Sequence, residues 1–199
     1  IYNHSNFGIL ARETNIEAHN IVIGSAGQAS LAATIGGTYS FTHSTFANYW
    51  NNGIRQLPAV LVNNFFVYNT EAGEEIIETR DLNAANFTNC IFEGNNNIEF
   101  LIDKVEGGGF FNYSVKNCMI KFIDSNNSFD GVTEVDFGNN TNYSGVILNG
   151  NLNFRDTQKN DFIIGTQSDV INKGITTPFT LDILGVERAS NPDIGAYQH

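Results

Sequence analysis

Short apolar runs rich in Ile, Val, Phe and Tyr alternate with Asn and Gly along this chain, which predicts strands separated by turns from end to end. The phrasing of the runs is regular. Five segments carry one apolar residue, four further positions and a second apolar residue: Ile16 to Ile21, Phe41 to Phe46, Leu61 to Phe66, Phe87 to Phe92 and Val115 to Ile120. The starts at Ile16, Phe41, Leu61, Phe87 and Val115 recur about every two dozen positions, a period that predicts stacked repeats rather than a sandwich. In a straight strand, residues five apart face opposite sides, so both ends enter one core only if the strand bends between them. The third residue of the phrase is His43, Asn63, Asn89 and Asn117 in four consecutive segments. Asn tolerates a left-handed backbone, so a bend there turns both apolar ends inward. Stacking would then set these side chains about 4.8 Å apart, where amides can bond along the stack. The fourth position is Cys90 and Cys118 in the last two segments, which predicts stacked cysteines close enough for a disulfide, although parallel side-chain vectors make its dihedral hard to reach and favour buried free thiols.

Two of these segments, Phe87-Thr88-Asn89-Cys90-Ile91-Phe92 and Val115-Lys116-Asn117-Cys118-Met119-Ile120, resemble the pectin-lyase-like right-handed parallel β-helices, which bend at Asn and stack it into a ladder. The first segment departs, with Ala18 at the bend and His19-Asn20 after it. The ending, Asp182-Ile183-Leu184-Gly185 and then Asp193-Ile194-Gly195-Ala196-Tyr197, resembles the tail of secreted bacterial β-helix proteins, often from Bacteroidetes, that finish in a choice-of-anchor type domain. The resemblance implies an all-β fold, a single-stranded right-handed parallel β-helix with a C-terminal cap. Coils would occupy residues 1–150, as the C-terminal part of a longer helix, and 151–199 would form the final coil and cap of the same domain. Location outside the cytoplasm of a bacterium is also implied, in the periplasm, on the cell surface or beyond it. A cap has a physical reason, since a stack of coils ends in an exposed apolar cross-section. Phe162, Ile164, Ile171, Ile183, Ile194 and Tyr197 are expected to cover it, with Asp156, Asp161, Asp182 and Asp193 capping turns.

Composition narrows the partners. No apolar run approaches the roughly 20 residues of a membrane-spanning helix. A net charge of −11 repels nucleic acid and polyanionic glycans at long range and leaves neutral polysaccharides or cell-surface glycans as partners. Two cysteines are too few for a disulfide framework. Asn occurs 29 times, so the chain turns often and helices are few. It opens at Ile1-Tyr2-Asn3 in what reads as the end of a strand, as if upstream sequence had been removed.

Several constellations could carry chemistry. Asp124, Asn126, Ser128 and Asp130 place oxygens at alternate positions as a calcium loop does, although Phe129 stands where a helical calcium hand has Gly and Val135 where it has Glu. The plain alternative is a solvated Asn-rich loop, and calcium is the only cofactor the sequence suggests. Paired carboxylates serve glycosidases, and stacked coils can present Asp81, Asp103, Asp124 and Asp136 on one face. Lyases need a base and cations, for which Arg80, Lys104, Lys116 and Lys121 are available. Scattered surface charge explains both sets equally simply, and the polygalacturonase and pectate lyase signatures are absent. Tyr39, Tyr49 and Trp50 could form an aromatic sugar platform, or simply pack. His4, His19, His43 and His199 lack metal-ligand spacing, and Gly107-Gly108-Gly109 reads as a loop. The expected function is an exported or cell-surface module that binds or presents to glycans without catalysis. A polysaccharide lyase or glycoside hydrolase part and a structural stalk or adhesin spacer are the alternatives.

Overall fold

The computed structural model describes residues 1–107 and 109–199; Gly108, in the glycine run read as a loop, lies outside them. The all-β class holds, with 46% strand and 3% helix, and most strands pair in parallel. One wall is built from Tyr2–His4, Val22–Ala26, Thr45–Asn48, Ile91–Gly94, Met119–Ile120 and Ile147–Leu148, each hydrogen-bonded to the next in that order. Along it Tyr2 faces Gly24, Val22 faces Thr45, Thr45 faces Ile91, Ile91 faces Met119 and Met119 faces Ile147. The passes therefore take 22 to 28 residues each, except the one from Thr45 to Ile91, which takes 46.

Two long strands, Phe7–His19 and Ala29–Thr42, lie side by side and serve two further walls. The first half of Ala29–Thr42 pairs with Val60–Asn63, which pairs with Phe100–Asp103. The second half pairs with Leu82–Thr88, followed by Phe111–Lys116 and Tyr143–Ser144. Between the halves the register slips at Glu13 (φ 44°) and at Ile35-Gly36-Gly37 (φ 63°, 72° and 116°). Such left-handed bulges re-aim a strand.

The expected bend ladder exists, with different membership. Asn20, His43, Asn89 and Asn117 occupy successive rungs and share a left-handed backbone (φ 50°, 47°, 54° and 48°), with Gly145 (φ 62°) on the next. At the His43, Asn89 and Asn117 bends both flanking apolar residues enter the core, Phe41 with Phe46, Phe87 with Phe92 and Val115 with Ile120. Asn63 is not a member. It ends a strand of another wall, opposite Asp103, and its Oδ1 accepts the Ile35 amide at 2.9 Å. The segment from Leu61 to Phe66 imitates the phrase because the strand there runs directly into an antiparallel hairpin, Phe65–Asn69 with Glu75–Thr79. The two steps expected from Phe41 to Leu61 and from Leu61 to Phe87 are thus a single long pass, in which Phe46 pairs directly with Phe92. The first segment is out of phase by two: Ala18 and Ile23, not Ile16 and Ile21, align with Phe41 and Phe46. Cys90 and Cys118 are neighbours in the core as free thiols, the Cys90 amide 3.3 Å from Cys118 Sγ.

The C-terminal segment does not cover the end of the stack. It runs along the outer side of the walls, where Asn117 Nδ2 donates to Lys173 O (2.9 Å), Asn89 exchanges bonds with Ile175 N (3.0 Å) and O (2.7 Å), and Asn20 Nδ2 donates to Leu181 O (2.8 Å). His43 Nε2 lies 3.1 Å from Thr177 Oγ1 and also takes a bond from Asn89 Nδ2 at 3.1 Å, the one side-chain link between rungs of the ladder. The bend side chains therefore face outward and hold the tail along its length. Ile164, Val170 and Ile194 pack with Leu152 on the outward faces of Ile91 and Met119 as a second apolar cluster. Phe162 lies over Gly24, and Gly195 (φ 105°) lies against Ile91 and Thr45. Of the other expected cap residues, Ile171 joins this cluster and Ile183 is exposed.

The end of the stack is covered instead by residues 121–142. Phe122 and Phe137 pack on the main core, 5.0 Å apart edge to face, with Phe129 and Tyr143 completing the aromatic group and Val135 buried beneath it. The Glu99 carboxylate, buried and held above its usual range by desolvation, pairs with buried Arg55 and accepts the Ala59 and Asn96 amides at 2.7 Å, which fastens the 49–59 loop.

Asn89→Ala removes the tail contacts and forces Ala into a left-handed bend, so a loss of about 3 kcal/mol in urea unfolding is expected, with Asn89→Gly losing about 1 kcal/mol less. Burial holds His43 at about 3, with the Arg188 charge adding to the shift. The folded value lies below the unfolded 6.5, so the unfolded chain binds the extra proton and stability falls as pH drops from 6.5 towards about 3. The slope is at most about 1.4 kcal/mol per pH unit, and His43→Asn, which keeps the ladder, should flatten the urea midpoint across that window.

Candidate functional site

The bulges that divide the two long strands also make a concavity. Glu13 is the first bulge and Asn15 lies two residues beyond it, and Gly37 closes the second, its amide bonded to Asp81 O at 2.8 Å. Opposite them the chain returns from the antiparallel hairpin through Thr79, Arg80 and Asp81 and enters the wall strand Leu82–Thr88, which contributes Asn83. Together these enclose a groove of about 410 Å³. This lies within the range of small-ligand sites, although its lining is more polar than most.

Arg80 is the fixed point of the groove. Its guanidinium donates to Thr79 O and to Glu78 Oε2, both at 2.9 Å, stands 3.7 Å from Glu13 Oε2, and lies 5.8 Å from the Phe66 ring centre. Glu78 also accepts the Tyr68 hydroxyl at 3.0 Å, and Tyr68 stacks on Phe66 at 5.7 Å. The Arg80 bond, then the Tyr68 bond, hold the Glu78 carboxyl below its usual range. These groups are exposed or half-exposed, so such pairs orient side chains more than they stabilise the fold. Asp81 Oδ1 accepts the Phe110 amide at 2.9 Å, and Gly109 approaches so closely that a Cβ there would meet that oxygen. The groove therefore offers carboxylates, amides, a hydroxyl and a guanidinium, beside the aromatic rings of the hairpin. That set suits a ligand rich in hydroxyl groups.

The other sequence candidates lie elsewhere. Asp103 and Lys104 sit near Glu134 at the covered end of the stack; partial burial, then Glu134, raises the Asp103 carboxyl, and Lys104 donates to Glu106 at 2.7 Å. Asp136, just after Glu134 in the chain, accepts the Gly138 amide at 3.1 Å. Asp81 is thus separate from Asp103, Lys104 and Asp136. The aromatic platform does not form: Tyr39 is wholly buried with its hydroxyl on Gly36 O at 2.8 Å, Tyr49 stacks under Phe162 at 5.9 Å, and Trp50 is half-buried near Gly27. In the calcium candidate, Asp124 gives one oxygen to the Ser128 amide (3.0 Å) and the other to Phe129 (2.8 Å), closing the loop itself, while Asn126, Ser128 and Asp130 are exposed. Among the described residues no group of three or more His, Cys, Asp or Glu could hold a metal ion, and no helix is long and apolar enough to cross a membrane. Sequence reasoning misses Glu13, Asn15, Thr79 and Asn83, because nothing in the sequence reports that a bulge near Glu13 faces a segment as distant in the chain as Thr79.

No protein-family model matches the chain, and neither a curated protein nor a solved structure is similar to it. The likeness to pectin-lyase-like right-handed β-helices and to a choice-of-anchor tail is corrected accordingly. Asp-Ile-Gly-Ala-Tyr has a local explanation: Asp193 is buried and accepts the Asn172 and His199 amides at 2.7 and 2.6 Å, while Ile194, Gly195 and Ala196 are buried against the outer wall.

Asp81→Ala should release the Phe110 amide while leaving the thermal midpoint nearly unchanged. Hydrogen exchange at Phe110, several-fold faster in the variant, checks this.

Proposed function

We propose that this chain is an exported or cell-surface module, its parallel strands being successive turns of one winding, that binds neutral glycans through the groove beside Arg80 without catalysis of its own. The observation that carries the reading is the groove itself: a guanidinium between carboxylates, with Asn15 and Asn83 amides in the lining; the Phe66 ring, stacked with Tyr68, lies against the guanidinium outside that lining. Hydroxyl-rich rings use such acceptors and donors, and stack their apolar faces on aromatic ones. The net charge of −11 supports neutral rather than polyanionic ligands.

A second reading, a polysaccharide lyase or glycoside hydrolase, is favoured by one fact, that Glu13 and Asp81 both line the groove with Arg80. Against it, Asp81 is engaged by a backbone amide and Glu13 faces Arg80.

A glycan array followed by calorimetry on the intact chain separates the two. Neutral oligosaccharides should bind, Arg80→Ala should weaken them about tenfold, and no new reducing ends or unsaturated products should form. An array without a neutral glycan hit would end the binding reading, and turnover lost in Asp81→Asn would replace it with the enzyme.

A further inference from the structure

A second concavity lies where the tail meets the outer side of the first wall. Tyr49, immediately after Thr45–Asn48, meets Phe154 edge-on at 6.4 Å. With Glu93, Asn151, Asn153 and Thr157 these two rings line a pocket of about 240 Å³. It is smaller than the usual cavity for a drug-sized ligand and suits a single ring.

The lining is rich in acceptors. Glu93 projects from Ile91–Gly94; its Oε1 takes the Gly94 amide at 3.0 Å and lies 3.3 Å from Lys121 Nζ. Among the described residues neither Glu93 Oε2 nor the Tyr49 hydroxyl has a hydrogen-bond partner, and neither is sealed from solvent. The Asn151 side-chain nitrogen is already given to Gln167 O at 3.3 Å, and its oxygen to the Asn153 amide at 3.0 Å. Lys121 answers Oε1 from outside the lining, and among the described residues no positively charged side chain lines the pocket. Two aromatic rings beside a carboxylate whose second oxygen has no partner attract an ammonium group, and the chain's net charge of −11 raises the local concentration of cations.

We propose that this pocket binds one pyranose ring carrying a free amino group, a hexosamine residue, with the ammonium on Glu93 Oε2 and the ring against Phe154 and Tyr49. The Asn153 and Thr157 side chains meet the ring hydroxyls. This site shares no residue with the groove beside Arg80, so it stands or falls separately from the function proposed for that groove. Burial raises the Glu93 carboxyl, with Lys121 opposing. Binding therefore weakens as acid protonates Glu93, and weakens again as base removes the proton from the amine.

The test is a two-dimensional NMR titration of the intact chain with glucosamine, glucose and N-acetylglucosamine. Glucosamine should shift the resonances of Tyr49, Glu93 and Phe154, with glucose and N-acetylglucosamine binding at least tenfold more weakly. Glu93→Gln should weaken glucosamine tenfold or more. Tyr49→Phe, which keeps the stack on Phe162, should weaken it several-fold, so a folding defect in the first variant does not decide the outcome. Equal binding of glucose and glucosamine, shifts confined to Arg80 and Asp81, or no shifts at all would each overturn the assignment. Glu71→Ala, in the exposed turn of the hairpin and outside both concavities, is the control and should leave the glucosamine-induced shifts of Tyr49, Glu93 and Phe154 unchanged.

Discussion

The structure depends on a file of left-handed bends and on what their side chains hold. At Asn20, His43, Asn89 and Asn117 the backbone turns so that apolar residues on both sides point into one core, which frees the bend side chain to face outward. Most residues resist this conformation by about 1–2 kcal/mol; Asn accepts it more readily because its short amide bonds locally. Here those amides, with His43, grip the returning tail at Lys173, Ile175, Thr177 and Leu181. The same residues therefore shape the inner core and attach the outer layer. His43 does this only as a neutral ring, since Nε2 must accept from Asn89.

A stack of parallel strands has two weak places, its ends and any outer face that is apolar. Residues 121–142 cover one end with Phe122, Phe137 and Val135, and the tail covers the outer faces of Ile91 and Met119. Buried charge sits where irregular chain must be pinned. Glu99 with Arg55 fixes one loop, and Asp182 and Asp193 accept backbone amides within the tail. Buried charged pairs of this kind add little net stability, but removal of one partner leaves an expensive orphan, so they select one arrangement of the chain.

Concave, polar surface arises where regular stacking is interrupted. The groove beside Arg80 exists because both long strands bulge at the same level and a hairpin interrupts the longest pass; the pocket beside Glu93 exists because the tail crosses the first wall. Regular walls present flat arrays of side chains, whereas interruptions create depth. Both concavities are lined by hydrogen-bonding groups; Tyr49 and Phe154 also line the pocket, whereas the Phe66 ring lies against Arg80 outside the lining of the groove.

By itself the sequence determined the strand-rich class, the bends at His43, Asn89 and Asn117, the inward pairs around them and the stacked thiols. All of these follow from spacing within a single short phrase such as Phe87 to Phe92, where backbone geometry leaves few choices. It misled at Asn63 and at the Ile16 segment, because an apolar residue on either side of four others also occurs where a strand enters a hairpin or where the phase is shifted by two. Only the tertiary structure decided where the tail lies, which segment covers the end, and that Glu13 meets Arg80 while Tyr49 meets Phe154. Those contacts join residues far apart in the chain, and local pattern carries no information about which of many apolar or charged partners a distant segment will find.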